Sequence, residues 1–467
     1  MSFIQNLLTS LPEVKGPAQK VLSFKEKLKW TSIILVAFFI LSAIPLFGLG
    51  QNSLEQFKQL SIILGASFGS VLSLGIGPIV TASIVLQLLA GSGILKIDQS
   101  TREGRIFFQG LQKILAIFFI IFEAMVYVLM GGLAPAAGLA SGAYRMMEFI
   151  LIFQLILGGL LVLFMDEVTS KWGFGSGVSL FIVAGVGAEI FIQAFSFLNS
   201  QGALAFGSGL APVGKVWSLF MSLISGDTIG MSLALAAILA TIVVFILAVY
   251  AQAMKVEIPL SFGRVRGFGI RWPLRFLYTS NIPVILIAAL MANIQLWARL
   301  MEGWGRPWLG TFSGNIPVSG IVAWLFSPDI PRSIITGTFV LSDLLHALVY
   351  ILFMVAGAVI FSIFWVQTSG MDAKSQAKQI MASGLQIPGF RRDERVLESI
   401  LNRYIFPLTI MGAIAVGILA ATADLLGALS RGTGILLAIM IIYRLYEDIA
   451  KQHTMDMYPA LRKMMGR

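Results

Sequence analysis

The sequence has no cysteine and only two histidines, His346 and His453, among its 467 residues. Without cysteine the chain has no disulfide, no thiol nucleophile and no thiolate metal ligand, and two histidines are too few for a histidine-rich metal site. We therefore expect neither a metal nor a cofactor. Charged residues are also scarce, at 12% of the chain, whereas soluble domains carry about 25%. This low charge excludes a soluble globule, because a surface in contact with water needs more charged side chains.

Apolar residues are abundant: they make up 57% of the sequence, and the mean hydropathy is +0.88. A helix needs about 20 apolar residues to cross a bilayer. The long run 59–95 is interrupted by glycines and by Pro78, so we divide it into a short piece, about Leu54–Gly69, and one span. The predicted spans are Trp30–Leu49, Ile76–Leu89, Gly110–Gly131, Met147–Met165, Val178–Phe197, Met231–Ala253, Ile282–Trp297, Phe339–Val366, Phe406–Leu425 and Thr433–Tyr446. The sequence thus predicts an all-α polytopic membrane protein with ten transmembrane helices.

Lysine and arginine are distributed unevenly between the two sides of this topology. With the N-terminus in the cytoplasm, 26 of the 33 Lys and Arg residues fall in cytoplasmic segments and 7 fall outside. Cytoplasmic loops of membrane proteins carry such an excess. We therefore expect a multi-pass protein of the cell membrane with both termini in the cytoplasm. Residues Ser2–Leu11 have one apolar helical face, which predicts either a short helix on the cytoplasmic surface or a frayed tail.

Two predicted spans begin in a similar way, which is typical of an internal repeat. The second span opens with Gly75–Val80 (GIGPIV) and the seventh with Asn281–Ile285 (NIPVI). Both place proline near the first turn of a helix, where its missing N–H costs nothing. The two segments lie five spans apart, so the halves that contain them would be inverted, as around a central pathway. A chance similarity is the alternative.

Charged groups inside spans are costly, so each one needs a reason. Glu123 is the one carboxylate that the sequence places clearly at depth. Asp343 and His346 lie near the start of the eighth span, and we expect them to form an interfacial hydrogen-bonded pair. The residues do not supply the several midplane groups that a proton relay or a substrate site would need.

Two long basic loops stand on the predicted cytoplasmic side. One contains Gly263–Gly267 (GRVRG) and the other Pro388–Arg392 (PGFRR). Paired guanidinium groups on flexible tips suit bidentate contacts with phosphate. Each loop alone fits an ordinary cytoplasmic loop, whereas together they suggest a docking face for RNA phosphates.

At these residues the sequence resembles the SecY family, the channel-forming alpha subunits of the Sec translocon, in its archaeal and eukaryotic-like form. The resemblance runs along essentially the whole chain. Its most specific pieces are Gly75–Leu89 (GIGPIVTASIVLQLL), Val256–Gly267 (VEIPLSFGRVRG), Ser280–Trp297 (SNIPVILIAALMANIQLW) and Gly432–Tyr446 (GTGILLAIMIIYRLY).

The resemblance implies two inverted five-helix halves with a short plug helix, at about residues 57–70, that closes the pore from outside. On this basis we divide the chain into a cytoplasmic N-terminal segment (1–29), an N-terminal half (30–197), an external loop (198–230), a C-terminal half (231–449) and a cytoplasmic tail (450–467). Cytoplasmic loops at about 254–280 and 367–404 belong to the C-terminal half.

The resemblance also implies roles for three groups of residues. The pore constriction would be a ring of aliphatic side chains, namely Ile76, Val80, Val178, Ile182, Ile285 and Leu437. The lateral gate, between spans two and three and spans seven and eight, would hold a polar cluster of Thr81, Glu123 and Asn293. The docking tips would be Arg264, Arg266, Arg391 and Arg392. A narrow apolar ring disfavours water and ions but offers a passing chain no hydrogen bonds.

The expected function is passive conduction of unfolded polypeptides, with lateral release of signal peptides and apolar segments into membrane lipid. The expected partners are a SecE-like gamma subunit, a small beta subunit, and a translating ribosome or a cytosolic motor that supplies the energy. A secondary transporter, which shares inverted repeats but needs a polar midplane site, is the alternative. A third interpretation, an intramembrane enzyme, would need convergent catalytic groups, so we expect no enzymatic activity.

Overall fold

A computed structural model describes residues 12–18, 22–52, 54, 64–95, 97, 101–199, 203–205, 210–262, 269–279, 281–314, 316–382, 385–386, 393–430 and 432–457. Over this part of the chain the fold is mostly helical, with a few short strands. The helices are α1 (Phe24–Ala43), α2 (Gly77–Gly91), α3 (Arg102–Leu129), α4 (Ser141–Trp172), α5 (Gly177–Phe195), α6 (Lys215–Ser225), α7 (Thr228–Ala253), α8 (Ile282–Gly303), α9 (Gly320–Trp324), α10 (Ile330–Ile335), α11 (Leu341–Thr368), α12 (Ala373–Ala382), α13 (Glu394–Leu425) and α14 (Gly432–Met457). The strands are β1 (Leu49–Asn52), β2 (Leu133–Pro135), β3 (Lys255–Phe262), β4 (Gly269–Arg275), β5 (Phe312–Ser313), β6 (Ile316–Pro317) and β7 (Leu385–Gln386).

Each of the ten predicted spans overlaps one helix of 15 residues or more in the described part of the chain. Seven of these helices, α3, α4, α5, α7, α8, α11 and α13, are long and apolar enough to cross a membrane. The protein is therefore a multi-pass membrane protein, and ten spans remain the prediction for the full count. Several helices extend beyond the apolar stretches, because polar turns continue them: α3 begins at Arg102 rather than Gly110, and α13 begins at Glu394 rather than Phe406.

Side chains and prolines mark the helix starts. Ser23 caps α1, Thr101 caps α3 and Asp227 caps α7, each by accepting a hydrogen bond from a backbone N–H three residues later. Such caps satisfy amide groups that have no partner inside the helix. As the sequence predicted, α2 and α8 each begin with a proline in the first turn, Pro78 and Pro283.

Helix α2 lies at the contact between the two halves. It packs against α3 of its own half and against α8 and α11 of the other half. One large apolar core contains buried residues of all these helices and of α1, α4 and α5. Within it the rings of Phe38 on α1 and Phe181 on α5 stack, with their centroids 4.8 Å apart.

The segments that were expected to be loops contain further structure. In 254–280, β3 pairs with β4 in an antiparallel hairpin from Lys255↔Arg275 to Ser261↔Gly269, and β7 adds to the other edge of β3. This sheet covers a second apolar core that includes Ile258 on β3 and Leu401 on α13. Helix α6 lies in the segment expected to be the external loop, and α7 begins at Thr228 rather than Met231.

Residues 12–18, which we call the strap, contact α3 at Lys113 and the C-terminal end of α4. Val14 N donates to Glu167 Oε2 at 3.0 Å, and Trp172 Nε1 donates to the carbonyl oxygen of Lys15 at 2.9 Å. Lys171 forms an ion pair with Glu13 and donates to the carbonyl oxygen of Val14 at 2.6 Å. The expected surface helix Ser2–Leu11 lies outside the described residues.

Candidate functional site

The six residues expected to form the ring all lie at helix starts. Ile76 directly precedes α2 and Val80 is in its first turn, while Val178 and Ile182 occupy the first two turns of α5. Ile285 is in the first turn of α8, and Leu437 is in the second turn of α14. The start of each of these four helices therefore determines where its ring side chains stand.

These six residues belong to, or pack against, one large apolar core, and we call them the aliphatic cluster. Five of them are buried, with exposed fractions between 0% and 7%, and belong to the largest core. Val178 is half-buried and packs against the same core. The cluster thus has the composition of an aliphatic constriction.

Part of the expected plug contacts the same place. The N–H of Ile76 donates to the carbonyl oxygen of Leu64 at 2.8 Å. A Cβ atom on Gly65 would lie 3.7 Å from Ile76 Cγ2 and 3.5 Å from Phe181 Cβ, so this backbone lies against the cluster. Residues 64–70 form turns rather than the expected helix. Residues 57–63 of the expected plug lie outside the described residues.

The three residues expected at the gate are in contact with one another. Asn293 Nδ2 on α8 donates to Thr81 Oγ1 on α2 at 2.9 Å. Thr81 Oγ1 in turn lies 3.2 Å from Glu123 Oε1 on α3 and 2.9 Å from the carbonyl oxygen of Gly77. Glu123 is 1% exposed, and its other oxygen, Oε2, has no hydrogen-bond partner among the described residues. A Cβ on Gly77 would stand 3.4 Å from that oxygen. The cluster thus joins helices of both halves through a single threonine hydroxyl.

The boundary where helices of the two halves meet at this cluster is called the seam below. Two further contacts cross the seam, and the sequence analysis missed both. The rings of Phe122 on α3 and Trp297 on α8 are 5.6 Å apart. A Cβ on Gly91 of α2 would approach Phe364 of α11 to 2.5 Å, so glycine allows these helices to meet closely. The aromatic pair had a signal in the sequence, because Trp297 lies four residues after Asn293, on the same helical face.

The four arginines expected at the docking tips, Arg264, Arg266, Arg391 and Arg392, lie outside the described residues. Their surroundings are informative. The β3–β4 hairpin ends at Phe262 and resumes at Gly269, on either side of the first pair. Ser261 of β3 pairs with Gln386 of β7, in the loop that carries the second pair. The bases of both basic loops therefore belong to one sheet.

One prediction about polar groups near the spans was wrong. Asp343 and His346 do not bond to each other: Asp343 Oδ2 accepts from Val340 N at 3.1 Å as a helix cap, while His346 Nε2 lies 2.7 Å from the carbonyl oxygen of Ala323. The sequence analysis also missed a second buried carboxylate, Asp424 near the end of α13, which is 7% exposed and accepts hydrogen bonds at both oxygens. Among the described residues no group of three or more His, Asp or Glu side chains could hold a metal ion.

The chain matches two family models over most of its length. The SecY family model matches residues 70–446, and the model of the plug domain of Sec61p matches residues 36–69. The chain is 46% identical over 464 residues to the protein translocase subunit SecY of Methanothermobacter thermautotrophicus, covering 98% of both chains. It is 42% identical over 461 residues to the protein translocase subunit SecY of Methanocaldococcus jannaschii, covering 99% of both.

Solved structures give the same result for the fold. A structure of a protein conducting channel superimposes with a TM-score of 0.82 at 41% identity, over 97% of this chain and 98% of that one. Sec61 in the canine ribosome–channel complex from the endoplasmic reticulum superimposes with a TM-score of 0.79 at 41% identity, again over 97% and 98%.

Proposed function

The chain belongs to the SecY family, and we propose that it is the central, protein-conducting channel subunit of a Sec translocon. It passes unfolded polypeptides across the membrane and releases signal peptides and transmembrane segments sideways into lipid. The observation that carries this function is that six aliphatic residues, from the starts of four helices, lie in or against the same apolar core.

The aliphatic cluster seals the channel. Ile76, Val80, Val178, Ile182, Ile285 and Leu437 form the pore ring, and the backbone at Leu64 and Gly65 closes it as part of the plug. An apolar constriction is poorly wetted, so ions do not cross it. An extended polypeptide widens the ring and finds no polar group there that would hold it.

The polar cluster controls the lateral gate. Thr81, Glu123 and Asn293 link the two halves across the seam, and the Phe122–Trp297 contact supports the same closure. An intramembrane hydrogen bond contributes only about 0.6–2 kcal/mol, so an apolar signal peptide that inserts at the seam shifts the equilibrium towards the open gate.

The basic loops bind the partner that drives transport. Similar channels have been solved in complexes with ribosomes, and Arg264, Arg266, Arg391 and Arg392 suit ribosomal RNA phosphates, with a cytosolic motor as the other candidate partner. Two small subunits, SecE-like gamma and beta, complete the complex. The chain itself does no covalent chemistry, and both termini and both basic loops lie in the cytoplasm.

Reconstitution tests this function. Vesicles with the purified chain and its co-purifying small subunits receive ribosomes that translate a signal-bearing secretory protein, and protection of the product from protease is measured. We expect protection that requires the signal peptide, with a signal-less product as the control. Saturable uptake of a small solute, without any protected polypeptide, would instead identify a secondary transporter and contradict the channel.

A further inference from the structure

The four helices that carry ring residues all need hydrogen-bond partners for the backbone N–H groups at their starts. The first N–H groups of a helix have no partner within it, and burying such a group without a partner is costly. In α2 and α8 the second residue is proline, Pro78 or Pro283, which has no N–H to satisfy. In α5 and α14 the second residue is Val178 or Thr433, and both have an N–H. Each of these two amides donates to a carboxylate on the preceding long helix.

At the start of α5 the carboxylate is Asp166 of α4. Its Oδ1 accepts hydrogen bonds from Val178 N at 3.0 Å and from Ser176 Oγ at 3.3 Å. A Cβ on Gly177 would lie 2.6 Å from the Cα of Asp166, so only glycine allows this close approach. The start of α5 is thus held against the end of α4 by side-chain bonds and by backbone contact.

At the start of α14 the carboxylate is Asp424 of α13. Its Oδ1 accepts from Thr433 N at 2.7 Å, and its Oδ2 accepts from Thr433 Oγ1 and, at 2.7 Å, from Tyr350 OH on α11. The site is almost closed to solvent, with Asp424 7% and Thr433 1% exposed. A Cβ on Gly432 would lie 2.0 Å from the carbonyl carbon of Ala423.

The two sites correspond in the two halves of the chain. In each half the carboxylate is on the fourth of five long helices, the bonded amide is on the fifth, and glycine is the first residue of that fifth helix. Ile182 lies four residues after Val178, and Leu437 lies four residues after Thr433. Each carboxylate therefore holds its helix one turn before a ring side chain, Ile182 in α5 and Leu437 in α14.

We propose that Asp166 and Asp424 are positioning residues that fix the height of Ile182 and Leu437 in the pore ring by fastening α5 to α4 and α14 to α13. All their bonds stay within one half, so separation of the halves at the seam leaves them intact. Each half then moves as a unit that keeps its ring side chain in place. This role rests on the proposed function, because it acts through the ring.

The test compares Asp166→Ala and Asp424→Ala with the unaltered channel, in the reconstituted complex, by ion conductance in planar bilayers without substrate. We expect the resting conductance to rise about tenfold or more, the change that loss of one hydrogen bond to a charged group produces in a two-state equilibrium. Asp166→Asn keeps an acceptor for Val178 N and should restore a tight channel. Asp227→Ala is the matched control, because Asp227 caps α7, which carries no ring residue. The channel with this substitution should stay tight.

A second comparison tests whether the carboxylate fixes the position of the helix or only accepts a hydrogen bond from an otherwise unpaired backbone N–H. The double variant Asp424→Ala/Thr433→Pro removes the N–H along with the carboxylate, as Pro78 does in α2, and leaves all six ring residues unchanged. Continued leakage supports the positioning role. A tight channel would mean that the carboxylate only satisfies an amide, and the role would be overturned.

Ile182→Gly distinguishes this inference from the function on which it rests. If Ile182→Gly leaks but Asp166→Ala and Asp424→Ala do not, the ring stands and the positioning role is wrong. If none of the three leaks, both the ring and the positioning role are wrong. Melting temperatures of all variants are measured alongside, and a leak shared with Asp227→Ala at equal loss of stability would also overturn the role.

Discussion

The side-chain amide of Asn293 on α8 donates to the hydroxyl of Thr81 on α2 at 2.9 Å, across 212 positions of sequence. This bond connects the two halves of the chain at the proposed lateral gate. Since Glu123 lies against the same hydroxyl, a single side-chain rotation at Thr81 would disconnect all three residues.

Removing the side-chain amide of Asn293 should make the lateral gate easier to open. For Asn293→Ala we expect a shift of about 3- to 30-fold towards the open gate, because one intramembrane hydrogen bond contributes about 0.6–2 kcal/mol. Less apolar signal peptides should then suffice for translocation, measured across a graded series of signals. Gln295→Ala is the matched control, since Gln295, on the same helix, bonds to the carbonyl oxygen of Leu325 at 2.8 Å within its own half.

A double-mutant cycle isolates the bond itself. Thr81→Ala and Asn293→Ala should each lower the apolarity that a signal needs, and the double variant should add little beyond either one, because both remove the same bond. Fully additive shifts would mean that the two residues act separately.

Polar substitutions in the ring should make the closed channel leak. An aliphatic side chain contributes about 1.5–3 kcal/mol against hydration, so Ile76→Ser combined with Ile285→Ser should raise the resting conductance about tenfold or more. The measurement is conductance in planar bilayers. Ile79→Ser serves as the control, because Ile79 is equally buried on α2 but outside the ring. An unchanged conductance in the double ring variant would contradict the ring assignment.

Charge reversal at the hairpin tip should weaken ribosome binding in a salt-dependent way. If Arg264→Glu or Arg266→Glu removes one phosphate contact, the slope of log affinity against log salt should become shallower by about 0.7–0.9. Cosedimentation over a salt series measures this slope. Lys255→Glu, at the base of the same hairpin, is the control for net charge. Equal effects of the tip and base variants would argue against specific docking at the tip.

Acid should release the strap from α4. The ion pair with Lys171 lowers the pKa of the Glu13 carboxyl below its ordinary value. The stabilisation is therefore complete above the ordinary pKa of 4.5 and is lost as the pH falls through the lowered pKa. Because the pair is exposed, its contribution is only about 0.2–1 kcal/mol, which corresponds to a few-fold change in protection.

Hydrogen exchange of residues 12–18, compared at neutral and acid pH, measures this release. Glu13→Gln should show the reduced protection already at neutral pH and should lose the dependence on acid. A strap that stays equally protected in both proteins would show that the backbone bonds to Glu167 and Trp172 suffice.

Two glycines near the start of α14 should respond oppositely to alanine. At Gly432 the new methyl group would meet the backbone of Ala423 at 2.0 Å, and overpacking of this kind costs about 1–3 kcal/mol. At Gly434 the nearest atom is Val186 Cγ2 at 3.4 Å, so alanine should be neutral or stabilise the helix by about 0.5–1 kcal/mol. Melting temperatures in detergent decide between these signs, and equal loss at both positions would contradict the close α13–α14 contact.

The sequence predicted the helix positions well, because apolar length and proline placement are local properties. The contact among Thr81, Glu123 and Asn293 at the seam was also predicted, but only from the family resemblance. The sequence did not predict the correct partners where two residues are far apart in the chain or where one side chain has several possible partners. Ser261 of β3 and Gln386 of β7 lie on separate loops, and no local pattern indicates that they pair. Asp343 caps its own helix by accepting from Val340 N, while His346 bonds to Ala323, which lies 23 positions away.

Asp166 and Asp424 were missed for a different reason. Both lie at the ends of apolar stretches, where hydropathy alone cannot distinguish a solvated carboxylate from a buried one. Their partners come after a turn of the chain, and Tyr350 comes from a third helix. The repeated order of carboxylate, glycine and amide donor becomes visible only when the two halves are compared in three dimensions.

The shared sheet beneath the two basic loops has a mechanical consequence. Because β7 is bonded to β3, the chain segments that lead into the two basic loops are joined in one sheet. We expect a partner that binds both loops to gain avidity, because its second contact would form without a new diffusional search. Helices α12 and α13 pack beneath that sheet, and α13 continues into the largest apolar core, so one helix connects the sheet to the core that contains the ring residues.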